Sequence, residues 1–455
     1  MCKLSDETVS DILERGRIYE VGGTVRDRLM HRPVISKDTD YLVTGITYDD
    51  LARILKRHGR VDLVGRSFGV IKFTRYIDER PVTIDIALPR REYSTGWGHK
   101  DFNVNFDPSL KVEDDLARRD FTMNAIAMAL DDHDVIDPYD GRTDIEKRII
   151  RTVYPGSFKD DPLRMLRAIQ FAARFEFMIE PKTFEAIRDN AALIKTVSSE
   201  RIAEELNKLL TLSGQPSHGF RLMQTTGLLK EILPALEACV GIDQPGGYHA
   251  YDVFEHTMHT IDACPPRLRL RMAALFHDIR KPQAKRLTDT GATFYGHEHQ
   301  GARAASIALT ALRYSRDFIR EVETLVERHM FTTDVTDKGM RRLMRRVGTD
   351  LIFDLLDLRR ADVIGQGKGG KTEDVDEFEA AIRAEMDRKP PLSVLDLVLD
   401  GHDVMRMFDI PPGPIVGRVL DALLEAVLDD PEVNNRESLE ALARDYMKNE
   451  NSKNK

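Results

Sequence analysis

Apolar and polar positions follow two different periods along this chain. Up to about residue 150, short runs rich in β-branched residues are separated by helical stretches. IYEVGG (18–23), TDYLVTG (39–45), VDLVG (61–65), VIKFTRY (70–76) and VTIDIAL (82–88) have the length and side chains of strands. TVRDRLMH (24–31) and YDDLARILKRHG (48–59) have helical spacing. From about 160 the helical period takes over, in LRMLRAIQFAARF (163–175), KTFEAIRDNAALI (182–194), SERIAEELNKLLTL (199–212) and HGFRLMQTTGLLKEIL (218–233). The pattern predicts an α/β (α+β) domain followed by a mostly α-helical body. VGIDQPGGYHAYDVFEH (240–256) interrupts the helical pattern and marks a candidate boundary. The last nine residues, MKNENSKNK (447–455), read as a disordered end.

Composition narrows the class. The chain has 455 residues, enough for two to four domains, and is 42% hydrophobic, 31% charged and only 7% aromatic. Cys2, Cys239 and Cys264 are far apart and form no metal-type spacing, which argues for a reducing compartment. The first residues lack the apolar run of a signal peptide, and no stretch reaches the roughly 20 apolar residues that span a bilayer. A cytoplasmic protein with no membrane partner is expected. The net charge of −9 counts against a wholly basic nucleic-acid binder, but the local field decides binding. RLRLR (267–271) and RRLMRR (341–346) are basic clusters of a kind that more often forms a solvated helix face.

Three stretches carry candidate chemistry. In YEVGGTVRDRLM (19–30), Gly22 and Gly23 let a backbone approach a ligand, the following helix start suits an anion, and Arg26 could add charge to a phosphate. In KDTDYLVTG (37–45), Asp38 and Asp40 are alternate residues entering a strand, so both project to one face. Like charges held that close call for a bridging cation, and oxygen ligands suit Mg²⁺. Asp85, inside an apolar strand, is a candidate third carboxylate. In KDDPLRMLRA (159–168), Asp160 could cap a helix with Asp161 pairing with Arg164 one turn on, or Asp161 and Arg164 could face a ligand as acceptor and donor.

GG-T-VRD followed by D-T-D, then LARRDFTMNAIAMAL (116–130), DDPLRMLRAIQFAARF (160–175) and SSERIAEELNKLL (198–210), resembles in order and spacing the class II tRNA nucleotidyltransferase and bacterial poly(A) polymerase family. The resemblance implies a polymerase-β-like nucleotidyltransferase head. Asp38 and Asp40 would be catalytic and hold Mg²⁺. Gly23, Arg26, Arg119, Asp161, Arg164 and Arg167 would contact the nucleotide, with Asp85, Asp120 and Asn124 in support. Asp161 would accept from the exocyclic amine of cytosine or adenine and Arg164 would donate to the adjacent ring nitrogen. Guanine and uracil present the opposite order. Two departures stand out. Asp160 replaces the family's usual glutamate, and Gln170 stands where arginine is frequent, which would remove a charge near the triphosphate.

HTMH (256–259), LFHDIRKP (275–282), FYGHEHQGA (294–302), ERHM (327–330) and LRRADVIG (358–365) resemble an HD domain, in which His256, His277, Asp278 and Asp362 would bind a second divalent metal, Mn²⁺, Ni²⁺ or Mg²⁺. Arg280 stands where that pattern has glycine and could narrow or block the site. The implied organisation is a catalytic head (1–150), a helical nucleotide- and RNA-binding neck (151–240), an HD domain (241–370), a helical tRNA-binding tail (371–446) and the disordered end (447–455). The implied activity is template-independent addition of CCA to tRNA from CTP and ATP. A poly(A) polymerase, a partial CC-adding or A-adding enzyme, and a metal-dependent HD phosphohydrolase stand as alternatives. Oligomeric state is left open.

Overall fold

A computed structural model of the chain describes residues 4–33, 40–65, 69–77, 79–94, 102–289 and 291–453. It divides into two compact units, Met1–Glu237 and Ala238–Lys455.

The first unit is built on a mixed sheet. Nine of its strands in chain order are β1 (Arg17–Val21), β2 (Asp40–Thr44), β3 (Arg60–Gly65), β4 (Val70–Ile77), β5 (Arg80–Ala87), β6 (Arg90–Ser94), β7 (Phe102–Phe106), β8 (Ala127–Ala129) and β9 (Val135–Ile136). Seven of them form one sheet in the order β3-β4-β5-β2-β1-β8-β9, while β6 and β7 pair only with each other. All neighbours in the large sheet are antiparallel except β2 and β5.

The period-2 pattern divides each strand between two faces. Ile71 and Phe73 of β4, Ile84 and Ile86 of β5, and Tyr41 and Val43 of β2 share one core with Ile12, Leu51 and Leu55 from the helices Asp6–Leu13 and Tyr48–Leu55. Leu42 of β2 and Val21 of β1 turn the other way, onto Val112, Leu116 and Ala125. Asp40 and Asp85 have the parity of this second face.

Beyond the sheet, the helices Leu163–Phe175, Ser199–Leu212 and Pro216–Thr226 pack together. Two helical patterns are shorter than their sequence period. The 182–194 pattern forms Pro181–Asn190 and then a tighter 3₁₀ turn, Ala191–Thr196. The 218–233 pattern breaks at Gly227, whose φ of +81° ends one helix and starts Leu228–Ile232.

The second unit is helical. Val253–Ala263, Leu268–Phe276, His297–Ala311, Arg316–Arg328 and Ile352–Gly365 form its first part, and Pro414–Asp429 anchors a further core in its second. Both basic clusters act within this fold. Arg267 ion-pairs with Asp354 and Asp357, and Arg269 with Asp354. Arg341 is buried and bonds Glu385 at 2.9 Å and the Leu428 carbonyl at 2.7 Å, while Arg342 and Arg345 both reach Glu425. The expected disordered end is corrected in part: residues 447–453 continue the helix Arg436–Lys453. Leu439 and Ala443 bury one stripe of it, with Tyr446 and Met447 packed beside them, which carries the helix past the expected break. No helix among the described residues is long and apolar enough to cross a membrane.

Phe73 lies wholly inside the first core. Phe73→Ala is expected to lower the unfolding free energy of the N-terminal unit by about 3–5 kcal/mol, measured by chemical denaturation.

Candidate active site

The register of the sheet assembles a charged row. Asp40 of β2 pairs with Asp85 of the parallel strand β5, and Asp85 pairs in turn with Lys72 of β4. Register partners point to the same face, and adjacent strands run about 4.8 Å apart, so both carboxylates stand side by side. Lys72 Nζ lies 2.9 Å from Asp85 Oδ1 and is a cation already drawn to the row. Asp85 is thus joined to the site by pairing between distant strands. Asp38 lies outside the described residues.

Next to this row, a chain of alternating charges runs from the sheet domain into the helices. Gly22, at the end of β1, has φ +71°, and a Cβ there would lie 2.6 Å from Arg119 Nη1. A side chain there would strain the backbone and push the Arg119 guanidinium aside. Gly23 opens the short helix Gly23–Leu29, on which Arg26 turns inward. Arg26 is buried and donates to Asp27 Oδ1 at 2.6 Å and Asn124 Oδ1 at 2.8 Å, with its guanidinium over the rings of Phe171 and Phe175. Burial lowers its pKa, opposed by Asp27. These contacts tie it to the helix Leu163–Phe175.

Asn124 donates to Asp120 Oδ1 at 2.9 Å, and Asp120 Oδ2 meets Arg167 Nη2 at 2.7 Å. Burial works against the Asp120 carboxylate, but Arg167 and Asn124 outweigh it and hold its pKa below the ordinary range. Arg167 also faces Glu205 at 4.0 Å. Arg119 reaches Asp115 Oδ2 at 3.1 Å, and Arg118 bonds the other oxygen of the same buried carboxylate. The spacing of Asp115 to Arg118 and Arg119 (i, i+3 and i, i+4) was the available signal for a residue the sequence reading missed.

Asp161 and Arg164 share a helix start but do not pair with each other. Asp161 is held by Arg201 at 2.8 Å and accepts from the Leu163 amide at 3.2 Å. Arg164 donates to Tyr154 Oη at 3.0 Å, Ser157 Oγ at 2.8 Å and the Arg118 carbonyl at 2.8 Å. The helix begins at Leu163 behind Pro162. Asp160 accepts from Tyr154 Oη at 2.6 Å and is not the cap, because Asp161 takes the helix amide. Both side chains are partly exposed and fixed by other parts of the unit. Arg201, Tyr154 and Ser157 carry no sequence mark of that role. Gln170 is fully buried in helix packing, with no hydrogen-bond partner for Nε2.

In the C-terminal unit a cavity of about 540 Å³ is lined by Gln244, Tyr248, Lys281, Phe294 and Arg359 together with Asp278 and Asp362. His256 comes from the helix Val253–Ala263, His277 caps Leu268–Phe276, and Asp362 stands on Ile352–Gly365. His256 Nε2 lies 3.1 Å from Asp362 Oδ1 and 3.3 Å from Asp278 Oδ2. Burial disfavours a charged His256 ring, yet the two carboxylates raise its pKa to about 9. The four residues named from the sequence therefore do converge. Arg280 has φ −106°, which any residue adopts, and is not among the side chains lining the cavity.

The family model of the Poly A polymerase head domain matches residues 18–151, that of the RNA- and SrmB-binding site of polymerase A matches 176–240, and that of tRNA nucleotidyltransferase domain 2 matches 293–443. The chain is 35% identical over 336 residues to an A-adding tRNA nucleotidyltransferase of Deinococcus radiodurans, covering 69% of this chain and 75% of that one. It is 37% identical over 322 residues to a multifunctional CCA protein of Methylobacillus flagellatus, covering 69% and 73%. In fold it is similar to the Bacillus stearothermophilus CCA-adding enzyme in complex with CTP, with TM-score 0.72 and 24% identity over 98% of this chain and 97% of that one.

Asp120→Ala removes the carboxylate that Arg167 and Asn124 share. It is expected to cost the N-terminal unit about 2–4 kcal/mol, somewhat less than a fully buried pair because Arg167 is one-third exposed. The folded-state pKa of Asp120 is depressed, so its contribution is complete above the unfolded value of about 3.9 and fades as pH falls from there through the folded value. Denaturation of the wild type and Asp120→Asn across the acid range checks the sign: the gap between them should close only below about pH 4.

Proposed function

Because the chain belongs to the tRNA nucleotidyltransferase and poly(A) polymerase family, we propose that it adds C, C and A to tRNA 3′ ends from CTP and ATP without a nucleic-acid template. The observation that carries this reading is the pairing of an acidic row on the sheet with a fixed carboxylate and guanidinium, Asp161 and Arg164, at one helix start.

The tRNA ribose 3′-hydroxyl attacks the α-phosphorus of the nucleotide. A new P–O bond forms, the α–β bridging bond breaks, the hydroxyl proton passes to solvent and pyrophosphate leaves. Asp38 and Asp40, with Asp85 in support, would hold Mg²⁺, whose charge favours the attacking and leaving oxygens. The adjacent carboxylates of Asp40 and Asp85, already drawing Lys72, suit such a cation. Gly22 keeps space in front of Arg119, and Arg119 and Arg167 set positive charge beside the head.

Base choice follows from donor and acceptor order. Asp161 accepts from the exocyclic amine of cytosine or adenine, and Arg164 donates to the neighbouring ring nitrogen. Guanine and uracil would set like against like and leave polar groups unpaired at about 1–3 kcal/mol each. Arg201 holds Asp161, and Tyr154 and Ser157 hold Arg164, so both are aimed before a nucleotide arrives. Substrates of this kind support a cytoplasmic location. A second reading, addition of the terminal A alone, is favoured by the relative from Deinococcus radiodurans.

The C-terminal cavity supports a separate metal site. His256, His277, Asp278 and Asp362 would hold one divalent cation, and hydrolysis of phosphate esters is the chemistry such a site suits.

Labelled CTP, ATP, GTP and UTP offered to tRNA lacking CCA and to tRNA ending in CC test the main reading. Ordered C, C, A on the first and a single A on the second is the expected result; A on the second alone would select the A-adding reading. Asp40→Ala should abolish incorporation. Asp161→Ala and Arg164→Ala should narrow the preference for C and A over U and G by about 5- to 150-fold each, the equivalent of about 1–3 kcal/mol. An equal loss for all four nucleotides would remove the base-reading role.

A further inference from the structure

Asp161 and Arg164 are a carboxylate and a guanidinium one turn apart, with the Arg164 amide donating to the Asp161 carbonyl at 3.0 Å. At that spacing opposite charges ordinarily close on each other. Here each is paired elsewhere. Asp161 accepts from Arg201 on both oxygens, at 3.3 Å on Oδ1 and 2.8 Å on Oδ2. Arg164 is turned toward three other acceptors.

A guanidinium has five N–H donors. Arg164 Nη1 gives one to Tyr154 Oη at 3.0 Å and one to Ser157 Oγ at 2.8 Å. Nη2 gives one to the Arg118 carbonyl at 2.8 Å. One N–H on Nη2 and the one on Nε are left to meet a base.

Two of the three acceptors are fixed by their surroundings. Ser157 is fully buried, and the guanidinium of Arg118 is anchored at 2.9 Å by the buried Asp115. The third, the hydroxyl of the half-buried Tyr154, can rotate and accepts from Arg164 only while its own proton points elsewhere. That proton goes to Asp160 Oδ2 at 2.6 Å, which leaves the lone pairs of the oxygen for Arg164. Burial pushes the Tyr154 pKa up to about 12 against the pull of Arg164, so the proton stays on the oxygen at neutral pH. The ring lies beside the same guanidinium, its centroid 5.9 Å from Arg164 Cζ. The Asp160 carboxylate thus balances part of the Arg164 charge through a neutral hydroxyl.

We propose that Tyr154, oriented by Asp160, is a positioning residue for base selection that keeps Arg164 from closing onto Asp161. The inference rests on the base-reading role of Asp161 and Arg164 proposed above. Without the hydroxyl, Nη1 of Arg164 loses an acceptor, and the Asp161 carboxylate one turn back takes its place. A closed Asp161–Arg164 pair satisfies itself. Cytosine and adenine must then displace it, whereas uracil and guanine, which match neither group, lose little. Asp160 acts on base choice through Tyr154 instead of capping the helix.

Equilibrium binding of CTP, ATP, GTP and UTP to the full-length protein tests this. Tyr154→Phe keeps the ring and removes only the hydroxyl. It is expected to weaken CTP and ATP by about 5- to 20-fold and UTP and GTP by less than about twofold, the scale of one hydrogen bond to a charged group at a partly exposed site. Asp160→Ala should act in the same direction more weakly, and Asp160→Asn, whose amide oxygen still accepts, should act least. Adding Asp160→Ala to Tyr154→Phe should change nothing further, because the carboxylate works through the hydroxyl. Circular dichroism confirms that each variant is folded. An equal loss for all four nucleotides, or full additivity in the double variant, overturns the proposal. If Tyr154→Phe leaves the preference intact while Asp161→Ala removes it, the positioning role falls and base reading stands. If neither variant changes the preference, both fall.

Discussion

The N-terminal unit depends on the ion pair between the buried Asp120 and the partly exposed Arg167. Asp120 follows the buried segment beneath the sheet, whereas Arg167 sits on the helix Leu163–Phe175. A carboxylate this deeply buried is tolerated only with full compensation, and Arg167, Asn124 and the Phe121 amide together supply it. Asn124 passes the link to Arg26, whose guanidinium lies over the rings of Phe171 and Phe175 of the same helix. The same helix starts at the residues proposed to read the base. The helix that opens at the base-reading pair is therefore tied to Asp120, Asn124 and Arg26 by one connected network, and a shift of the helix would disturb it.

The sheet contributes in a different way. Neighbouring register positions place Lys72, Asp85 and Asp40 on one line across β4, β5 and β2. Ile84 and Ile86 flank Asp85 and drive into the opposite core, so hydrophobic burial sets the direction of a charged side chain. A one-residue slip of β5 would turn Asp85 into that core. Packing and site geometry are two results of the same alternation.

The C-terminal unit reaches a concentration of polar groups by another route. His256, His277, His297 and His329 sit at the ends or on the faces of four helices, and backbone carbonyls fix the rings of His277, His297 and His329. Basic residues elsewhere in the unit are spent on internal ion pairs, as with Arg341 and Glu385. The basic character of RRLMRR is thereby largely neutralised within the fold.

The order of strands and helices was legible because burial on one face imposes periods of two and 3.6 on the residues themselves. Asp38, Asp40, Asp161, Arg164 and the His-Asp doublet could be named as candidates because their chemistry is local to short motifs. What Arg26 touches could not be read, since its partners Asn124, Phe171 and Phe175 lie about a hundred or more positions away. Arg201 against Asp161, and His297 and His329 against Asp278, are likewise brought together from separate helices. The sequence by itself determined which side chains could bear charge, donate or accept. Only the tertiary structure decided which of them meet, because register and helix packing bring together groups that no local spacing relates.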